Sequence, residues 1–220
     1  MTVFEEELKD LRVKILKMGS LVEEAIGKAI QALVDRDSEL ANKVIESDDR
    51  INTLDVEIDE ECIRIIALRQ PTAGDLRFVT MAMKITTDLE RIGDYAVDIC
   101  ERALELNEEP QLKPYIDLPR MADIAQGMVH DALQSFLDRD TALAYEVINR
   151  DDEVDQLTVQ IFNELLFFMI KDNTTISRAI KISYISKYLE RVADHATNIA
   201  EMVVYMTEGR MIRHTQPPEA

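Results

Sequence analysis

Apolar residues recur at steps of three and four positions through most of the chain, the spacing that places them on one face of an α-helix. Three such runs occupy the first half, at 8–33, 40–65 and 76–103. Polar residues at 35–38 separate the first two runs, and the segment 70–74, which contains a proline and a glycine, separates the second from the third. We therefore predict three long helices, the second over about Ser38–Arg69 and the third beginning near Asp75, a suitable capping residue.

The second half of the chain repeats this plan. The tripeptide Asp35–Arg36–Asp37 recurs 103 positions later, and the third helix recurs 100 positions later. Residues 89–96 read LERIGDYA and residues 189–196 read LERVADHA. Self-similarity of this kind indicates a repeated supersecondary unit. We predict an all-α fold of two tandem three-helix bundles, with six long antiparallel helices in total.

Proline positions indicate where the two units separate. Three of the six prolines lie between positions 110 and 119. Proline interrupts helices, so this segment is the predicted linker. The predicted organisation is a first bundle over 1–109, a linker over 110–119, a second bundle over 120–209 and a C-terminal tail over 210–220.

Charge narrows the possible partners. The formal net charge is −18, although the hydrophobic fraction of 46% is ordinary for a well-packed protein. So acidic a surface repels phosphate backbones and anionic membranes, which argues against nucleic-acid binding. Basic protein surfaces and multivalent cations are favoured instead.

The chain carries no sign of secretion or membrane insertion. Its N-terminus is acidic within five residues, and no apolar run approaches the about 18 residues of a transmembrane helix. Cys62 and Cys100 stand alone, outside any CxxC motif, and are expected to be reduced and buried. We therefore expect a cytoplasmic protein without a transmembrane segment.

Acidic residues form one stripe on each copy of the third helix. The first stripe consists of Glu90, Asp94, Asp98 and Glu101, and its repeat consists of Glu190, Asp194, Asn198 and Glu201. Like charges at this spacing destabilise a helix by about 0.2–0.5 kcal/mol per pair. Arg91 and Arg191 lie one residue off the stripe and are expected to point elsewhere, so the sequence predicts that a cation neutralises these carboxylates.

Antiparallel packing brings further carboxylates to the same height. If the second and third helices of each bundle are neighbours, Asp48 and its neighbour lie level with Tyr95, and Asp151 and its neighbour lie level with His195. Carboxylate oxygens suit Fe, Mn, Mg, Ca or Zn, and several carboxylates per bundle can hold more than one ion. The predicted metal ligands are Glu90, Asp94, Asp98, Glu190, Asp194, Glu201, Asp48 and Asp151. A solvated acidic face is the alternative, and His195 itself is interpreted as an ordinary surface histidine.

The most specific motifs resemble those of the PhoU family of bacterial phosphate-uptake regulators. They are the segments 69–77 (RQPTAGDLR), 88–94 (DLERIGD) and 188–199 (YLERVADHATNI). The resemblance implies two similar three-helix bundles, each with an E/DxxxD signature that binds a multinuclear metal cluster, with iron as the first candidate. Carried over, the signatures are Glu90 with Asp94 and Glu190 with Asp194.

The same resemblance implies a non-enzymatic role. Members of the family act between a phosphate ABC transporter, through its ATPase, and a sensor histidine kinase, and they repress the phosphate-starvation response when phosphate is plentiful. A homodimer is expected, with membrane association only through these partners.

Two other functions compete with this one. The first is a purely structural helical adaptor whose acidic faces hold no functional metal. The second is a di-iron carboxylate oxidase, which uses Glu-x-x-His motifs on facing helices. The residues three positions before His130, His195 and His214 are glycine, valine and methionine, so that motif is absent.

Overall fold

A computed structural model describes residues 2–210, and every regular element within them is helical. The helices are α1 (Val3–Asp35), α2 (Ser38–Ser47), α3 (Asp49–Arg69), α4 (Ala73–Asn107), α5 (Asp117–Asp138), α6 (Thr141–Lys171) and α7 (Ile176–Glu208), with a 3-10 turn at Asn173–Thr175. The predicted all-α fold of two repeated helical units is confirmed. The tail beyond Arg210 lies outside the described residues.

The second predicted helix is interrupted once, at Asp48. The amide of Asp48 donates to the carbonyl of Ile45 (3.3 Å), three residues back, before the α-helical pattern resumes in α3. The backbone of Asp48 stays in the right-handed helical region, so α2 and α3 continue as one rod with a local tightening. The corresponding helix of the second half, α6, is continuous from Thr141 to Lys171.

The repeated Asp-Arg-Asp tripeptide joins the first and second helices of each unit. Arg36 (φ 54°) and Arg139 (φ 57°) adopt the left-handed conformation that ends a helix, and Asp37 and Asp140 then cap the next one. Asp75, expected to cap the third helix, does not: α4 begins at Ala73, and the flanking Thr72 makes no side-chain cap. Asp75 instead lies in the first turn, where a carboxylate favours the helix dipole.

The two bundles share one continuous core. Helices α1, α4, α5 and α7 form its centre, while α3 and α6 pack on opposite outer sides. Helices α4 and α7 run antiparallel: Arg77, near the start of α4, donates to the carbonyl of Met206 near the end of α7 (3.3 Å). Helix α1 contacts α5, where the side-chain amide of Gln126 donates to the carbonyl of Glu23 (2.6 Å). The bundles are therefore held together by helix packing.

The connection between the bundles is short. Helix α4 ends at Asn107 and α5 begins at Asp117, inside the segment predicted as linker. The guanidinium of Arg36 donates to the carbonyls of Leu106, Asn107 and Glu109 (2.7–3.2 Å), which satisfies groups that the end of α4 leaves unpaired. None of the helices within residues 2–210 combines the length and apolar character needed to cross a bilayer.

Candidate metal centres

The first acidic cluster forms where α4 passes the junction of α2 and α3. A Cβ atom built on Gly93 would lie 3.3 Å from Oδ1 of Asp48 and 3.2 Å from the side chain of Ile51. The absence of a side chain at Gly93 thus lets Asp48 approach α4 closely. Asp48 reaches the height of the acidic stripe, as antiparallel packing predicted.

Burial and mutual repulsion act on these carboxylates. Burial, followed by the charges of Asp94 and Asp49, raises the pKa of Asp48, although Asn52 donates a hydrogen bond to it (2.8 Å) that lowers the pKa. Burial and then Asp94 raise the pKa of Glu90, with smaller contributions from Asp55 and Asp48. We call Asp48, Asp55, Glu90 and Asp94 the first cluster.

The second cluster consists of Asp151 and Asp155 on α6 and Glu190 and Asp194 on α7. Burial, then Asp194 and Asp155, raise the pKa of Asp151 to about 6. Burial, then Glu190 and Asp194, raise the pKa of Asp155. In each bundle an aspartate of the second helix (α2–α3 or α6) therefore lies near the E/DxxxD pair of the third helix (α4 or α7). This agrees with the predicted heights of Asp48 and Asp151.

Sequence reasoning missed Asp55 and Asp155. Asp155 follows Asp151 by four residues, and Asp55 follows Asp48 by seven, so each lies on the same helix face as the predicted ligand. Helical periodicity applied to the second rod would have identified both.

The expectation that the arginines point away from the stripes was wrong. Arg91 lies 3.6 Å from Glu90 and 3.5 Å from Asp94, and Arg191 lies 3.2 Å from Asp194. Lys187 pairs with Glu190. Long side chains bend back to carboxylates three residues away, so a one-residue offset on the helical wheel does not separate them.

Two predicted ligands lie further from these clusters. Burial, then Glu101 and Asp94, raise the pKa of Asp98, and the charge of Asp98 in turn helps to raise the pKa of Tyr188. Asp98 therefore faces the junction of α4 with α7. Glu201 is half-buried on α7, about two turns beyond Asp194.

His195 is not an ordinary surface histidine. Its Nδ1 lies 2.6 Å from Oδ1 of Asp88 on α4, and its ring lies 5.8 Å from that of Tyr95. The histidine side chain is only 20% exposed. Antiparallel packing of α4 on α7 buries this residue between the bundles, which the pattern of α7 alone does not reveal.

The donor chemistry of both clusters suits a hard cation, since each offers four carboxylates that repel one another, and all of them except the exposed Asp155 are partly buried. In their present rotamers, however, no three His, Cys, Asp or Glu side chains among residues 2–210 are arranged to hold a metal ion. Arg91, Arg191 and Lys187 form ion pairs with carboxylates of these clusters. Metal binding by these residues stays a prediction.

The profile of the PhoU domain matches the chain twice, over residues 15–103 and 118–203. The chain belongs to the PhoU family. It is 46% identical over 209 residues to the phosphate-specific transport system accessory protein PhoU homolog of Aquifex aeolicus, with 95% of each chain covered. It is 37% identical to the PhoU accessory protein of Escherichia coli, covering 96% of this chain and 88% of that one.

Solved structures agree with the fold. The crystal structure of PhoU from Pseudomonas aeruginosa superposes with a TM-score of 0.91 at 43% identity, covering 94% of this chain and 100% of the other. The phosphate transport system regulatory protein PhoU of Streptococcus pneumoniae gives a TM-score of 0.87 at 33% identity, covering 94% and 98%. The relatives from Aquifex aeolicus and Escherichia coli are named as accessory proteins and that from Streptococcus pneumoniae as a regulatory protein, in agreement with the non-enzymatic role predicted here.

Proposed function

We propose that this chain is a cytoplasmic regulator of phosphate uptake that links the ATPase of a phosphate ABC transporter to a sensor histidine kinase. The full-length similarity to proteins named as accessory and regulatory components of phosphate transport carries this proposal. The net charge of −18 supports action on basic protein surfaces. In this role the chain acts as a homodimer, reaches the membrane through its partners and represses the phosphate-starvation response when phosphate is plentiful.

Complementation tests the regulatory role. The gene is expressed in a bacterial strain that lacks its own family member and carries a reporter under a phosphate-starvation promoter. We expect the reporter to fall to the repressed level in high phosphate and to stay inducible in low phosphate. Unchanged reporter expression in high phosphate, at protein levels matched to the native regulator, would contradict the proposal.

Metal binding is the second part of the proposal. Each cluster holds one or more cations, with iron as the first candidate and Zn, Mn, Mg or Ca as alternatives, through Glu90 and Asp94 in the first bundle and Glu190 and Asp194 in the second. Asp48, at the junction of α2 and α3, and Asp151, on α6, provide the further ligands of the two sites. The supporting observation is that burial and repulsion raise the pKa of Asp48, Glu90 and Asp151, a cost that a cation relieves.

Metal analysis of protein purified without chelators or nickel affinity tests this part. We expect more than one equivalent of metal per chain in the wild type, and loss of that metal when Glu90, Asp94, Glu190 and Asp194 are all replaced by alanine. The matched control replaces Glu5, Glu6, Glu39 and Glu60, which lie outside both clusters. Retention of metal by the cluster variant would reject the assignment of these residues.

A structural adaptor without functional metal is the second candidate function. The ion pairs of Arg91 with Glu90 and Asp94 favour it, because arginine already offsets part of the negative charge. Two measurements separate the candidates. If replacement of Arg91 and Arg191 by glutamine tightens metal binding, the result supports the metal-loaded regulator. If the wild-type protein represses the reporter while it holds no metal, the result supports the adaptor.

A further inference from the structure

The outer face of the second bundle exposes a row of large apolar side chains. Their exposed fractions lie between 40% (Leu166) and 78% (Ile170). The row consists of Val159, Phe162, Leu166 and Ile170 on α6 and Ile176, Ile180 and Tyr184 on α7. On each helix these residues follow one another by three or four positions and so lie on one face.

The two rows lie side by side and form one surface. Helices α6 and α7 are joined by the short turn at Asn173–Thr175 and pack against each other as an antiparallel pair. Phe162 and Tyr184 line the same groove, together with Val159, Lys187 and Glu190. We call this surface, from Val159 and Glu190 to the turn, the α6–α7 groove.

The internal repeat shows that the fold does not require large apolar residues along the whole of this surface. The first bundle has the corresponding helices in the same arrangement, but four of these seven positions carry no large apolar residue there. Asp59, Ala67, Thr80 and Lys84 stand where the second bundle has Phe162, Ile170, Ile180 and Tyr184. A contiguous exposed apolar patch that folding does not need is typical of a binding surface.

Charge indicates what kind of molecule covers the groove. One end of the groove reaches Glu190, which adjoins Asp155 and Asp194 of the second cluster. Lys187 pairs with Glu190 and Arg191 pairs with Asp194, which leaves the carboxylate of Asp155 as excess negative charge at this end of the groove. At this acidic end of the groove an anionic membrane is disfavoured electrostatically, whereas a basic segment is attracted.

We infer that the α6–α7 groove docks an amphipathic helix of a protein partner. Apolar side chains of that helix cover Phe162, Leu166 and Ile180, and basic side chains at one end meet Asp155 and Glu190. Apolar residues at helical spacing lying in a groove between two helices are a recurring mode of peptide recognition. For the identity of the partner, the inference rests on the proposed function.

Binding to purified partners tests the inference. The probes are the transporter ATPase and the cytoplasmic region of the sensor kinase from the same genome, with affinities measured by biolayer interferometry. We expect Phe162→Glu and Leu166→Glu each to weaken binding of at least one probe by about tenfold or more, since a buried charge removes an anchor contact. Raising the ionic strength should weaken the wild-type complex as well.

The internal repeat provides the matched control. Ile63 is the equivalent of Leu166 in the first bundle and is 57% exposed, so Ile63→Glu introduces the same charge at the same place in the fold. We expect this variant to bind as the wild type does. Circular dichroism melting of all three variants establishes that each is folded before binding is compared.

The remaining outcomes are distinct. Equal binding by the wild type and the folded groove variants overturns the inference and leaves the proposed function intact. A wild type that binds neither probe contradicts the proposed function as well. Two further results would show that the groove holds something other than a partner helix, and either one overturns the inference. The first is a wild-type dimer that dissociates when Phe162→Glu is introduced, measured by sedimentation velocity. The second is wild-type binding to phosphatidylcholine vesicles that is lost in Phe162→Glu.

Discussion

The Nδ1 atom of His195 on α7 lies 2.6 Å from the Oδ1 atom of Asp88 on α4. In the internal repeat, position 195 corresponds to Tyr95 and position 88 corresponds to Tyr188. Those two tyrosines stack on each other with ring centroids 6.0 Å apart. The pseudo-symmetric junction of the two bundles is therefore made by a polar pair on one side and an aromatic pair on the other.

The polar pair should stabilise the junction measurably. Replacement of His195 or Asp88 by alanine is expected to lower the free energy of unfolding by about 1–3 kcal/mol, because the remaining partner stays largely buried without a hydrogen bond. A double-mutant cycle followed by urea denaturation measures the coupling, expected to be about 0.5–3 kcal/mol. The matched control is the exposed pair of His130 and Glu23, where the His130 side chain is 62% exposed and little coupling is expected. Coupling no larger than that of the control pair would contradict a stabilising contact.

The second cluster should make the metal-free protein less stable as pH rises. The folded state raises the pKa of Asp151 to about 6 from an ordinary value of 3.8, so the folded protein holds this proton more tightly than the unfolded chain does. The free energy of unfolding therefore falls as pH increases from about 4 to about 6, and it stays at the lower level above that range.

Removing the charge tests this relation. In EDTA at pH 7.5, Asp151→Asn is expected to raise the free energy of unfolding by about 1–2 kcal/mol, after allowance for solvent screening. Asp152→Asn, at the exposed neighbouring position, serves as the control and should change stability by less than about 0.5 kcal/mol. A destabilised Asp151→Asn protein in EDTA would show that the carboxylate makes a favourable contact instead.

Glu7 should stabilise the first bundle above acidic pH. The guanidinium of Arg69 donates two hydrogen bonds to its carboxylate (2.8 and 2.9 Å), and Arg64 donates a third (2.8 Å). Arg69 first, and then Arg64, lower the pKa of Glu7 to about 2 against an opposing effect of burial. The stabilisation is fully present above the ordinary pKa of 4.5 and is lost as pH falls towards 2.

Thermal unfolding of Glu7→Gln checks this ion-pair network. We expect a lower Tm than wild type at pH 7 and a difference that narrows as the pH approaches 2. Glu5→Gln lies on the same helix at an exposed position and is the control. A Tm difference that stays constant from pH 7 to pH 2 would mean that the charge of Glu7 contributes nothing to stability.

The two cysteines should be inert in the folded protein. Cys62 and Cys100 are both completely buried, and burial raises the pKa of each thiol to about 12. The thiolate is the reactive form, so a thiol reagent at pH 8 should modify neither residue until the protein unfolds. Rapid labelling of native protein with Ellman's reagent, judged against a urea-unfolded sample, would contradict this expectation. The predicted burial of both cysteines is confirmed.

The sequence alone determined the helices, their duplication and the heights at which acidic residues meet. These features depend on periodicity along the chain and on the fixed rise of a helix, so Asp48 could be placed level with Tyr95 and Asp151 level with His195 once the second and third helices were taken as antiparallel neighbours. Local geometry also suffices to place Asp55 and Asp155 on these faces, although the sequence analysis overlooked them.

Only the tertiary structure decided how the two bundles meet and which side chains stay uncovered. The pairing of His195 with Asp88 joins residues 107 positions apart, and it depends on the packing of α4 against α7 rather than on any local pattern. The reach of Arg91 to its carboxylates depends on a rotamer. Likewise Phe162 and Ile180 have the helical spacing of buried residues, and they are exposed because no other helix within residues 2–210 packs against that face of α6 and α7.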